Sequence, residues 1–587
     1  MKRLFKIGTE EHGRGDVIIK WQPEGNLLAT AGKNCLVHIF DRHGQRVDEI
    51  SLQGNGAITS LDWDMDGDSL AVLQEGNGII PIWDSSSRKI LSVDTNLKDP
   101  TFMAWSKVGP QLAVGTAKGN LLIYNKNTRK KIPVLGKHPR RITCGAWSLD
   151  NKLALGSVDC SLTVSNEVGD TLNQTNMDRQ PIDMCFVAQK KEDPSRKQGE
   201  HTSTDNIIAV NMNGKSLLLH SVEDPDNPVE LAFQVKYGKI KVHRWIGGDY
   251  MLIGFTEGFL VVISTLMSEI GEEQFSGRFH NGSMADVAYS SVLKRAATAG
   301  LGGIKVVDMN TNKEEKSDAI AFDDAESKIG CLSWSPDGQI LSVANTVGSV
   351  FNFLASMPTV HASCGPRLVY LSSLREVTVV DAAHPKEKPL TLPVGIEPTI
   401  VALGPGHIAV GMNNRVLFYR VDVDRKQQVD EREYNGQVIN ICLNVDFAAV
   451  LSGSQVVLNP IEPENPPRMG SSGPHDRKLT GSVDGIGTGQ RRTFPERDDG
   501  AHGKATSVAL TEAFLIYGTE AGTLELFCLP EWAALAGSEL RHSAAIMRLW
   551  PNYLGTRVVF MDDSNVGWLY SPAGDKLTQA RAGSREG

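Results

Sequence analysis

Apolar residues in this chain recur in short runs, separated by turns rich in Gly, Asp, Asn and Pro. The runs are too short for helices and lack helical spacing, so they predict strands. Four of them, Val17–Trp21, Ile58–Trp63, Phe102–Trp105 and Ile142–Trp147, close on tryptophans that stand 42 residues apart. Some twenty residues after each Trp comes a second signature: Ile39-Phe40-Asp41, Ile82-Trp83-Asp84, Ile123-Tyr124-Asn125 and Val164-Ser165-Asn166. Turn chemistry repeats as well, as in Pro23–Asn26, Asp64–Asp68 and Ser335–Gly338. A period in the low forties that ends on a Trp-Asp-like dipeptide is the signature of a WD-repeat β-propeller. The expected fold class is therefore all-β, with tandem WD-repeat β-propellers, the second either closed or incomplete.

The first blade reads as Val17–Trp21, Leu27–Ala31, Leu36–Phe40 and Val47–Leu52. Its inner strand, and those like it, are expected to be apolar on both faces, because blades pack around a channel. Lys2–Ile7 is expected to complete the last blade and so remove an open strand edge. Beyond Trp147 the period loosens. Phe186, Trp245, Tyr289 and Trp334 open further units, which leaves seven or eight blades in a first propeller spanning 1–355. Gln189–Asp205 is polar without an apolar face and is expected to be a disordered loop.

Five weaker units follow in 356–572 and predict a second propeller. Within it, 462–505 is Gly/Pro-rich, charged and unpatterned, which predicts a disordered insertion; 573–587 reads as an unstructured tail. Five units are few for a closed ring. Either the second propeller is incomplete or the chain is a fragment of a longer protein.

Composition narrows the function classes. A hydrophobic content of 41% with 22% charged residues is ordinary for folded protein. The formal net charge of −9 disfavours nucleic acid as main partner. None of the eight cysteines forms a C-x-x-C pair, so free thiols in a reducing cytosol are expected, without disulfides or zinc. The longest apolar runs, such as Phe259–Ile263, are far short of a membrane span, and the N-terminus has no signal-length apolar core.

Several motifs have bland readings that outweigh the sharp ones. Arg14-Gly15-Asp16 spells an integrin tripeptide but reads as a polar turn. Asp64, Asp66 and Asp68 with Glu75 imitate a calcium loop, but Ser69 stands where an EF-hand needs Gly and the flanks are strands. Gly503-Lys504 lacks the rest of a phosphate loop. The sequons at Asn173 and Asn281 carry no meaning in the cytosol. No metal-binding His pair or nucleophile elbow is present, so no catalytic residue, cofactor or metal is assigned.

The positive candidate is a basic pair of runs, Arg129-Lys130-Lys131 and Lys137-His138-Pro139-Arg140-Arg141, in an acidic chain. They are expected at the end of a third strand and in the following interblade link, converging on one rim. Arg42 and Arg46 are expected at the equivalent rim of the first blade, extending the patch. Such a surface would steer an acidic protein partner or acidic lipid. A solvated loop is the plainer alternative, part of which stands in for the Gly-His dipeptide that orders blades.

Five runs carry a family likeness: Trp105–Gly109, Leu112–Asn125, Ile132–Gly145, Ala409–Tyr419 and Phe514–Gly518. In these the chain resembles the N-terminal half of the large WD-repeat subunits of intraflagellar transport complex A. The likeness covers most of 1–570, and Ile132–Gly145 is more particular than a generic repeat. It implies tandem propellers ahead of a long helical-repeat tail. It also implies a non-enzymatic scaffold in retrograde ciliary transport and in ciliary entry of membrane cargo. Implied partners are other complex subunits, cargo adaptors and ciliary membrane cargo, with acidic lipid as a further candidate. Implied locations are the cytoplasm, the cilium and its basal body. These 587 residues depart from the family in not including such a tail, so contacts made through it are not expected of them. Two other readings stand beside it: a vesicle-coat-like propeller subunit, and a propeller enzyme with a site at a channel mouth.

Overall fold

A computed structural model describes residues 1–187, 207–266, 268–322, 328–422, 425–462, 491–495, 503–535, 540–574 and 576–579. The expected loop Gln189–Asp205 lies outside the described residues. The chain divides into two compact units, Met1–Ser356 and Met357–Gly587.

Among the described residues, the first unit holds eight four-stranded antiparallel sheets. Seven of them follow in sequence at 18–51, 58–94, 100–134, 142–176, 181–232, 240–278 and 286–314. The eighth takes Ile329–Trp334, Ile340–Asn345 and Val350–Leu354, and its outer strand is the N-terminal Lys2–Ile7, paired antiparallel to Val350–Leu354. We number these blades one to eight. Each strand is short, and each successive sheet leaves an apolar face that only the next sheet can bury. The core is accordingly a set of layers between neighbours. Ile39, Leu61, Trp63 and Val72 fill the layer between blades one and two, and Trp105, Leu112, Ile80 and Val93 that between two and three.

The Trp period has a hydrogen-bond explanation. The indole N–H of each inner-strand Trp donates to the preceding blade: Trp63 to Lys20 O at 3.3 Å, Trp147 to Ala104 O at 3.0 Å, Trp245 to Cys185 O at 3.3 Å and Trp334 to Ala288 O at 3.1 Å. Trp21 donates to Ser342 Oγ at 2.9 Å, so the same device joins blade one to blade eight. Cys331 Sγ reaches Val17 O and Arg42 reaches Asp337 across that seam as well. Trp105 departs from the rule. It is fully buried, its indole nitrogen has no partner among the described residues, and its backbone N–H donates to Asp62 Oδ2 at 2.8 Å instead.

Three expectations are corrected. Inner strands are not apolar on both faces: Lys20, Thr59, Lys241 and Arg244 face the channel from them. The strands buried on both faces are the second and third, as in Ser69–Gln74 and Ser161–Ser165, because they lie between two neighbours in the sheet and away from the channel. The insertion 462–505 is not disordered throughout. Arg492–Phe494 pairs with Val456–Leu458, and Phe494 is buried against Tyr517 and Phe527, which offsets the cost of ordering it. Glu462 is held by Arg420 and His407. Lastly, the tail is not wholly unstructured, since Lys576–Gln579 pairs with the strand Gly567–Ser571.

Among the described residues the second unit has five sheets in series, at 361–393, 400–433, 438–460 with 492–494, 505–541 and 546–579. The first of these exposes Leu368 and Tyr370, and the last exposes the cross-strand pair Trp550 and Val559.

Candidate interaction surface

Antiparallel strands send successive connections to alternate ends of a blade. In the first unit, the links between blades and the turns joining second to third strands lie at one end, which we call the upper rim. Turns joining first to second and third to fourth strands lie at the other, the lower rim.

This topology separates the two basic runs. Arg129 and Lys130 sit in the turn after Leu121–Asn125, on the lower rim. Lys126 N there bonds Pro110 O, and its Nζ reaches Asp64 of the lower-rim turn in blade two. Arg129 takes a left-handed backbone at φ 56°, and Lys131 Nζ donates to Asp94 O at 2.6 Å. The run 137–141 lies past the far end of Lys131–Val134, in the link to blade four. A four-residue strand separates the two runs by roughly 13 Å. The expectation that they converge on one rim is therefore corrected.

His138 is corrected too. It is buried, with Nε2 3.0 Å from Thr163 Oγ1 and Nδ1 2.9 Å from Ser161 Oγ and 3.3 Å from Asp159. Burial lowers its pKa, and Asp159 only partly opposes that. Its backbone N–H donates to Gly119 O at 3.0 Å. Gly119 has φ +75° and a Cβ there would meet His138 O at 1.9 Å, so only glycine fits. His138 is thus a clasp between blades three and four. His12 with Thr30 and His280 with Thr298 do the same work elsewhere.

Lys137 is half-buried and donates to Gly169 O at 2.9 Å and Thr171 Oγ1 at 2.6 Å; burial brings its pKa down to about 8. Arg140 and Arg141 differ. Their carbonyls are tied down by Ser157 Oγ and Val158 N, while both side chains are exposed and make no hydrogen bond or ion pair among the described residues. Arg42 and Arg46 lie on the lower rim and do not extend that pair. Arg42 is committed to Asp337 at 2.8 Å and Gln339 at 2.9 Å, and Arg46 to Glu11 and Glu49.

Sorting connections by rim reveals basic residues that the linear reading passed over. Across blades three to six, the upper-rim connections carry nine Lys and Arg against four Asp and Glu. The described lower-rim connections of the same blades carry five basic residues against nine acidic ones. Lys118 adjoins Arg140, since a Cβ on Gly119 would meet Arg140 O at 2.6 Å. Lys215 adjoins Lys239, whose Cβ lies 3.4 Å from that position on Gly214. No run in the sequence announces these residues. The signal is the set of connections taken together.

The central channel is lined by the inner strands and includes a cavity of about 820 Å³. Several of its charges are paired. Lys20 pairs with Asp62 at 3.2 Å. Burial alone would raise the Asp62 pKa, but Lys20, Lys107 and the Trp105 N–H together hold it below the usual carboxylate range. Arg244 lies 3.8 Å from Asp183 and 4.0 Å from Asp286, whose pKa burial raises in spite of that cation. Among the described residues, no group of three or more His, Cys, Asp or Glu is placed to hold a metal ion. Asp64, of the calcium-like motif, accepts from Ser69 N and pairs with Lys126, which makes it a hairpin support. No helix among the described residues is long and apolar enough to cross a membrane.

Comparison with known proteins gives a consistent result. The description "WDR19 first beta-propeller" matches residues 17–348, and "WDR19 second beta-propeller" matches 368–584. WD repeat-containing protein 19 of Mus musculus is 40% identical over 98% of this chain and 41% of its own length. WD repeat-containing protein dyf-2 of Caenorhabditis elegans is 31% identical over 98% of this chain and 40% of its own. The chain thus spans about two fifths of the length of these relatives. Sqt1 of Saccharomyces cerevisiae aligns at a TM-score of 0.50 with 12% identity, covering 61% of this chain and 99% of its own, a likeness of fold alone.

Proposed function

The chain belongs to the WD repeat-containing protein 19 family, and we propose on that basis that it serves as the propeller region of a scaffold subunit of intraflagellar transport complex A. The role is non-enzymatic. It acts in retrograde ciliary transport and in the entry of membrane cargo, with other complex subunits and cargo adaptors as partners. The protein works in the cytoplasm, at the basal body and in the cilium.

The observation that carries this reading is the extent of the likeness. It runs through both propeller units at 40% identity and is not confined to the repeat signature that any WD protein shares. The channel chemistry agrees with a scaffold. Several of its charged side chains pair with one another, and among the described residues they leave no assembled nucleophile, base and orienting group.

The test is affinity purification of the tagged chain from ciliated cells, read by mass spectrometry. Retrieval of intraflagellar transport subunits supports the reading. Retrieval of vesicle-coat subunits in their place contradicts it and favours the coat-like alternative.

A further inference from the structure

The upper rim of blades three to six has two properties that the lower rim lacks together. One is its excess of basic charge, described above. Lys118, Arg140, Arg141, Lys215 and Lys239 are exposed there and make no side-chain hydrogen bond or ion pair among the described residues. Of the four acids on this rim, Asp159 is turned to His138 and Ser161. The other property is protruding aliphatic side chains. Leu135 is 72% exposed and Val235 95%. They stand on different interblade links, one between blades three and four, the other between five and six.

We propose that this rim docks face-on against a membrane carrying anionic lipid. Basic groups are drawn to such a surface within a Debye length, about 8 Å at physiological salt. Single aliphatic side chains placed among them enter the interface between headgroups and acyl chains. Leu135 and Val235 stand on separate links and outside the channel cavities, so neither is part of the channel's own binding space. A flat, laterally extended ligand meets separated points at once. The acidic lower rim is repelled by the same surface, so the charge asymmetry sets which way the disc faces. The inference adds a ligand to the scaffold reading and does not depend on which subunits the chain joins.

The experiment is flotation of the whole chain with vesicles of phosphatidylcholine alone or of phosphatidylcholine with phosphatidylserine. Three variants are compared: Arg140→Glu, Arg141→Glu, Lys215→Glu and Lys239→Glu combined; Leu135→Ser with Val235→Ser; and Arg129→Glu with Lys130→Glu on the lower rim. Their side chains are exposed, so thermal melting should match the parent and exclude misfolding. The expected result is salt-sensitive flotation with the anionic vesicles only. The quadruple reversal should reduce it at least about tenfold, the aliphatic pair less, and the lower-rim pair not at all. Absence of flotation, or an equal loss from the lower-rim variant, overturns the proposal. So does rim-dependent binding of polyglutamate without vesicle binding, which would make the rim a reader of acidic protein. Purification from ciliated cells is unaffected by that failure and tests the scaffold separately.

Discussion

In the first unit, five of the seams between blades are crossed by an indole N–H, and one of these joins the first blade to the last. In the second unit no indole N–H crosses a seam among the described residues: Arg367 donates to Gly404 O and Arg432 to Pro460 O across the first two, and the next two use small donors. Cys442 Sγ reaches Val508 O, Asn444 Nδ2 donates to Thr511 O, and Thr506 Oγ1 to Ile546 O. Other devices are common to both. Thr101 donates to Ile142 O as Thr506 does to Ile546 O, and Gly522 lies under His542 O as Gly119 lies under His138 O. The comparison teaches that the tryptophan period marks one way of closing a seam, and that blades stack without it. It also explains why the first unit announces itself in the sequence and the second does so faintly.

The largest effect that tests the contrast is on ring closure. Trp21→Ala removes a buried aromatic and the bond to Ser342, and should cost about 3–5 kcal/mol. Segment-resolved hydrogen exchange should show the loss in 1–356 and leave 357–587 unchanged. Next comes the value of the indole bond itself. Trp147→Phe strands the Ala104 carbonyl, whereas Trp105→Phe removes a donor that has no partner among the described residues. The first should therefore be the more destabilising by about 1 kcal/mol in denaturant melts. Equal costs would mean that the period reflects ring volume alone. In the second unit, Thr506→Val removes a half-exposed seam bond and should cost about 0.5–1 kcal/mol.

The smallest effect at neutral pH is titration of the clasps. Burial, aided by Lys305, lowers His280 to about 4 from an unfolded value near 6.5. A group whose folded pKa is depressed contributes stability above its unfolded value and loses it as pH falls. The first unit should therefore weaken between roughly pH 6.5 and 4. His280→Gln should flatten that slope in acid melts while leaving stability at pH 8 far less changed.

Much of the architecture was legible because packing repeats. Trp21, Trp63, Trp105 and Trp147 fall where inner strands meet the preceding blade, and the turns after them hold Gly and Asp at fixed places. What stayed hidden depends on long-range pairing. Arg492–Phe494 looks like part of a polar insertion, and only its pairing with Val456–Leu458 and the burial of Phe494 make it a strand. The surface was harder still. Arg129 and Arg140 are near in sequence yet at opposite ends of one blade, whereas Arg140 and Lys118 meet across a glycine turn. Charge runs are read along a chain, but a rim is assembled from turns that the chain visits at intervals.

The account rests on the first unit being a ring whose last blade borrows its outer strand from the N-terminus. Hydrogen exchange on the chain with residues 1–7 removed tests this most directly. Protection should fall at Val350–Leu354 and at the seam with Ile18–Trp21, while the blades of the second unit keep theirs. Unchanged protection at Val350–Leu354 would contradict the closure and the contrast drawn from it.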